Sequence, residues 1–88
     1  MKQLKEKKLI ELINAEFPKA RAVPLSDFYG DDSEGIWFRG SEDYIDDTRL
    51  LFDYYSNQQC HPAIDRILDD AGWFWEPYDS GTLLAFPN

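Results

Sequence analysis

Residues 73–86 constrain this chain more than any other stretch. Trp73-Phe74-Trp75-Glu76-Pro77-Tyr78 and Thr82-Leu83-Leu84-Ala85-Phe86 flank Asp79-Ser80-Gly81. Two apolar runs joined by a short turn containing glycine predict an antiparallel β-hairpin. Pro77 has no amide hydrogen, which places its strand at a sheet edge or puts a bulge there. An apolar hairpin must bury at least one face, so the rest of the chain has to cover it.

Two segments suit that task. Over residues 3–17, Leu9, Ile13 and Phe17 recur at helical spacing, with Ile10 and Leu12 widening the stripe. Pro18 ends this helix at Phe17, because a residue before proline avoids the α region. Over residues 61–71, Pro62 suits the first helical position, Ala63, Ile64, Ile67, Leu68 and Ala71 form the stripe, and Gly72 supplies the stop. Residues 19–24 read as a short edge strand ended by Pro24. Ser26 to Gly35 reads as a loop. Ile36-Trp37-Phe38-Arg39, bracketed by Gly35 and Gly40, reads as a strand. Residues 41–47 form a second acidic loop. Thr48 to Ser56 fits either a short helix capped by Asp46 or Asp47, or an extended segment ending near Asn57.

The expectation is one α+β domain over residues 1–88: a small antiparallel sheet of three to four strands with two helices packed on one face. A chain of 88 residues buries only about 60–65% of its unfolded surface, so its core must be dense. Three Trp, five Tyr and six Phe provide the apolar area. Cys60 is the one cysteine, which excludes an intrachain disulfide and fits a reducing, cytoplasmic setting. The apolar runs are far short of the roughly 20 residues a membrane span needs.

The formal charge is −8, and it is unevenly spread. Residues 1–21 are net basic through Lys2, Lys5, Lys7, Lys8, Lys19 and Arg21. Beyond them only Arg39, Arg49 and Arg66 oppose fourteen acids. The densest part is Asp27, Asp31, Asp32, Glu34, Glu42, Asp43, Asp46, Asp47 and Asp53. That field repels phosphates, so the body of the chain is not expected to bind nucleic acid directly. It would attract a basic protein surface, and relief of like-charge repulsion would favour docking. Tyr29 and Trp37 lie among these acids, with Phe28 and Tyr44 nearby. Aromatic anchors ringed by charge suit a protein interface. The candidate binding residues are therefore Asp27, Asp31, Asp32, Glu34, Glu42, Asp43, Asp46, Asp47, Tyr29 and Trp37. The basic N-terminal helix is read as neutralising the acidic body.

No constellation of residues announces catalysis. His61, the single histidine, adjoins Cys60. A thiol–imidazole pair also needs a group that orients the base, so the two read as a helix-start residue and a small buried hydrophobe. Gly30-Asp31-Asp32-Ser33-Glu34-Gly35 is one residue too long for a nucleophile elbow and precedes its strand. A calcium loop starting at Asp31 would need glycine at its sixth position and has Ile36 there. Neither metal nor cofactor is expected.

The leading expectation is a non-enzymatic acidic protein that docks on a basic surface which otherwise holds nucleic acid. Anti-CRISPR and anti-restriction inhibitors of phages and mobile elements work this way as a functional class, although no motif ties the chain to them. One alternative is a structural or regulatory module, monomeric or homodimeric, with Trp73, Trp75 and Tyr78 on an exposed sheet face. The other is a metal-dependent hydrolytic enzyme.

Overall fold

The computed structural model describes residues 3–55 and 59–88. Its centre is the hairpin. In the order of the chain, the strands are β1 (Ala22–Pro24), β2 (Ile36–Phe38), β3 (Phe52–Asp53), β4 (Gln59–Cys60), β5 (Trp73–Asp79) and β6 (Thr82–Pro87). β1, β2, β6 and β5 form one four-stranded antiparallel sheet in that order, and β3 pairs with β4 in a separate two-stranded one. Pro77 meets both of its constraints. β5 is an edge strand, and the register slips between Pro77 and Asp79.

Cross-strand pairing sorts the side chains onto two faces, because partners in register share a face. Ala22, Phe38 and Leu83 share one face with Pro24, Ile36, Ala85 and Trp75. Helix α1 (Glu6–Glu16) and helix α3 (Pro62–Asp70) cover that face. Leu9 and Ile13 of α1 and Ile64 and Leu68 of α3 join Ile36, Phe38, Trp73, Leu83 and Ala85 in one buried cluster. This is the expected fold class, with the two stripes spent on the same sheet face.

Trp73 sits at the middle of this packing, only 2% exposed. Its indole N–H donates to the Leu4 carbonyl at 2.8 Å. The Leu4 amide donates to the Ala71 carbonyl at 3.0 Å, so the segment before α1, the end of α3 and the start of the hairpin are tied together. Trp75 turns to the same side and donates to Asp65 Oδ1 at 2.7 Å. The expected exposed face of Trp73, Trp75 and Tyr78 is therefore corrected: the two tryptophans face the helices, and only Tyr78 lies on the other side.

Other expectations are refined. Residues 18–20 form a 3₁₀ turn, and Arg21 takes a left-handed conformation (φ 47°), so the edge strand begins only at Ala22. Asn14 of α1 closes its outer edge: the side-chain amide donates to the Ala22 carbonyl at 2.9 Å, and its oxygen accepts the Ala22 N–H at 2.8 Å. The stretch read as loop from Ser26 holds a short helix, α2 (Leu25–Tyr29), ended by Gly30 in the left-handed region. Thr48–Tyr55 contains no helix. It is extended through β3, because Leu51 N–H donates to Asp43 O and Phe52 N–H to Ser41 O. The end of that reading, at Ser56 and Asn57, lies outside the described residues.

Gly40 marks a close approach of two backbones. A Cβ there would sit 2.0 Å from the Lys19 carbonyl oxygen, whereas one at Gly30 would meet nothing. Gly40→Ala must move the 3₁₀ turn away from β2 and should cost about 1–3 kcal/mol or more. Gly30→Ala bears only left-handed strain, about 1–2 kcal/mol. Urea unfolding should rank Gly40→Ala as the less stable variant; the reverse order would contradict the close approach.

Candidate functional site

The nine clustered acids fall into two groups along the chain. One group lies on α2 and the loop after it, before β2; the other follows β2. Their bonding partners differ.

In the first group Asp27 is exposed on the first turn of α2. Asp31 turns back on its own loop: Oδ1 accepts the Ser33 N–H at 2.8 Å. Hydrogen bonds from the Ser33 side chain and backbone hold the Asp31 carboxyl below its ordinary range. Asp32 and Glu34 are exposed. With Ser26, Ser33 and Glu6 of α1 they line a shallow hollow of about 290 Å³. Glu6 accepts the Gly35 N–H at 2.8 Å. It was hidden in the sequence because it belongs to the basic N-terminal helix, and nothing in local spacing brings residue 6 to residue 35.

The second group is largely occupied. Asp43 pairs with Arg21 at 2.6 Å. Asp46 Oδ1 accepts the Thr48 N–H and hydroxyl and the Arg49 N–H, at 2.7, 2.9 and 2.8 Å. Asp46 thus caps a local turn rather than a helix, and Asp47, exposed beside it, caps no helix either. Oδ2 faces His61 Nε2 at 2.5 Å. These bonds, that from His61 foremost, pull the Asp46 carboxyl well below the usual carboxylate range. Glu42 is exposed and lies against the hairpin tip at Gly81. Asp53 is half-buried in β3. Tyr44, exposed beside this group, bridges Leu50 and stands apart from the other aromatics.

His61 is a buried helix-start residue, as expected. Its Nδ1 accepts the Ala63 N–H at 3.1 Å, which leaves the ring hydrogen on Nε2 to donate to Asp46. Both ring nitrogens are thus engaged, and the ring tilts against Phe17 at 5.5 Å. Burial, reinforced by Asp65, pushes the Cys60 thiol far up, away from the thiolate that nucleophilic chemistry needs. Both residues line a pocket of about 230 Å³ with Tyr44, Thr48 and Arg49, but neither offers it a reactive nitrogen or sulfur. Among the described residues no three His, Cys, Asp or Glu side chains gather as a metal ion would require. No helix among them is long and apolar enough to cross a membrane.

Among the described residues, Asp43 is held by an ion pair with Arg21 and Asp46 by a hydrogen bond from His61. Neither contact touches the first acid group. Lys5, Lys7 and Lys8 are exposed and form no ion pair among the described residues.

The two aromatic candidates come together. Phe28 of α2 lies 5.0 Å from Tyr29, 5.1 Å from Trp37 and 5.0 Å from Tyr78, each nearly edge-to-face. This quartet stands on the sheet face opposite α1 and α3. Trp37 pairs there with Val23 and with Leu84, and Arg39 lies 5.6 Å from the Trp37 ring centre. Phe28 and Tyr78 complete the patch but were not among the candidate binding residues. Helix α2, which carries Phe28 there, was the element the acidic composition concealed.

No family model matches the chain, and neither a curated protein nor a solved structure matches it.

The Asp46 contacts carry a pH signature. A carboxyl held below its unfolded value adds stability above that value, about 4, and loses it as pH falls through the lower folded value. Asp46→Asn cannot titrate. The stability difference between the parent and Asp46→Asn, from urea midpoints, should shrink as pH falls below about 4. A difference that does not change with pH would contradict the arrangement.

Proposed function

We propose that the chain is a non-catalytic protein-binding module that docks on a basic partner surface, most specifically one that otherwise holds nucleic acid, and blocks it. One observation supports this reading above the others. Asp27, Asp31, Asp32 and Glu34 are exposed, with no basic side chain paired to them among the described residues. Holding like charges together costs stability, and a basic surface relieves that cost on contact. Carboxylates would stand where phosphates stand, and the field would speed encounter. A second copy of the chain would bring acid against acid, which favours a different, basic partner over self-association.

The test is a salt titration of complexes recovered from the native host. A basic protein should be retained at low salt, released at high salt and displaced by heparin, since exposed charges are screened within about a Debye length, roughly 10 Å at 0.1 M. The triple change Asp31→Asn, Asp32→Asn and Glu34→Gln should weaken retention about tenfold or more, as loss of several interfacial charges does. Retention that is indifferent both to salt and to these substitutions would overturn the reading.

A further inference from the structure

We propose that Tyr29 and Tyr78, seated on Phe28, are the docking surface for an arginine-bearing segment of that partner. The inference rests on the reading above and adds the contact chemistry.

The observation is a packed aromatic corner with an open outer side. Phe28 contacts Tyr29, Trp37 and Tyr78, and the two tyrosine rings are 6.5 Å apart and nearly perpendicular. Phe28 and Trp37 are half-buried, whereas Tyr29 is 48% and Tyr78 56% exposed. The inner pair therefore holds the outer pair in place. Rigid tyrosines lose little conformational entropy on binding and offer both a ring and a hydroxyl, which suits them as anchors.

Charge complementarity chooses the occupant. Asp31 and Asp32 follow Tyr29 directly after Gly30, and Asp27 lies two residues before it on α2. A purely apolar partner would leave these carboxylates at the rim without a counterpart. A cation lying on a tyrosine face gains from the ring's negative quadrupole and can reach a carboxylate at the same time. Arginine fits better than lysine, because its flat, weakly hydrated guanidinium stacks on a ring while its edge donates to a carboxylate. The molecule already places one such pair on this sheet face, with Arg39 against Trp37.

The experiment compares two probes: a short arginine–glycine peptide and a lysine–glycine peptide of equal length and charge, followed by NMR titration of the aromatic resonances. The arginine peptide should bind about fivefold more tightly and shift the ring signals of Tyr29 and Tyr78. Tyr29→Ser and Tyr78→Ser, at half-exposed positions, should each cancel most of that preference. Tyr78→Phe, which keeps the ring, should retain it and serves as the folded control. If both peptides bind in a salt-sensitive way but equally, with the tyrosine signals unmoved, the tyrosine site is overturned while the acidic binder stands. If neither peptide binds at low salt, both readings fall together.

Discussion

The hairpin β5–β6 is the constraint from which the rest of the structure follows. Both of its strands are apolar on both faces, so neither face can simply be left to water. The chain answers with two unequal covers. On one side α1 and α3 close over Trp73, Phe38, Leu83 and Ala85 into a dry cluster. Trp73 is the pivot, because burying an indole is favourable only if its N–H finds a partner, and the Leu4 carbonyl is that partner. On the other side there is no long helix to spare. A five-residue helix, α2, carries Phe28 onto Trp37 and Tyr78, and Phe74 meets Phe86 at 5.7 Å further along the same face. Leu84 is buried there, but the rings over the sheet stay partly open.

The charge distribution builds on this frame. Acids that follow β2 are tied into the fold: Asp43 fastens Arg21, and Asp46 joins its own turn to the start of α3 through His61. They serve architecture. Acids that precede β2 form no ion pair among the described residues: Asp31 bonds within its own loop, and Glu6 of α1 holds the Gly35 N–H. Separation of structural from unpaired carboxylates is what turns a general acidity into a located one.

Much of the frame was legible because its signals are local. The turn at Asp79-Ser80-Gly81, Pro62 before the α3 stripe and Pro18 after the α1 stripe each act within a few residues. What was not legible depended on distant partners. In Trp73-Phe74-Trp75 every residue is apolar, so alternation alone could not say which face meets the helices; Ile64, Leu68 and Asp65 of α3 decide it. Thr48 to Ser56 carried both helical and extended signals, and for Leu51 and Phe52 pairing with the carbonyls of Asp43 and Ser41 settled the choice. Helix α2 did leave a trace, since Pro24 precedes it and Gly30 stops it in the left-handed region, but the surrounding acids and glycines read as loop. For the site, Asp27, Asp31, Asp32, Glu34, Tyr29 and Trp37 were visible as residues. Their separation from Asp43 and Asp46 was not, because it depends on Arg21 and His61.

The sheet has one sealed and one open aromatic face. Laser-induced nuclear polarisation of tyrosine and tryptophan by an excited flavin dye tests it most directly, since only rings that the dye can touch give enhanced signals. The structure predicts enhancement at Tyr29 and Tyr78 and none at Trp73. Enhancement of Trp73, or silence from both tyrosines, would contradict the assignment of the faces and the surface built on it.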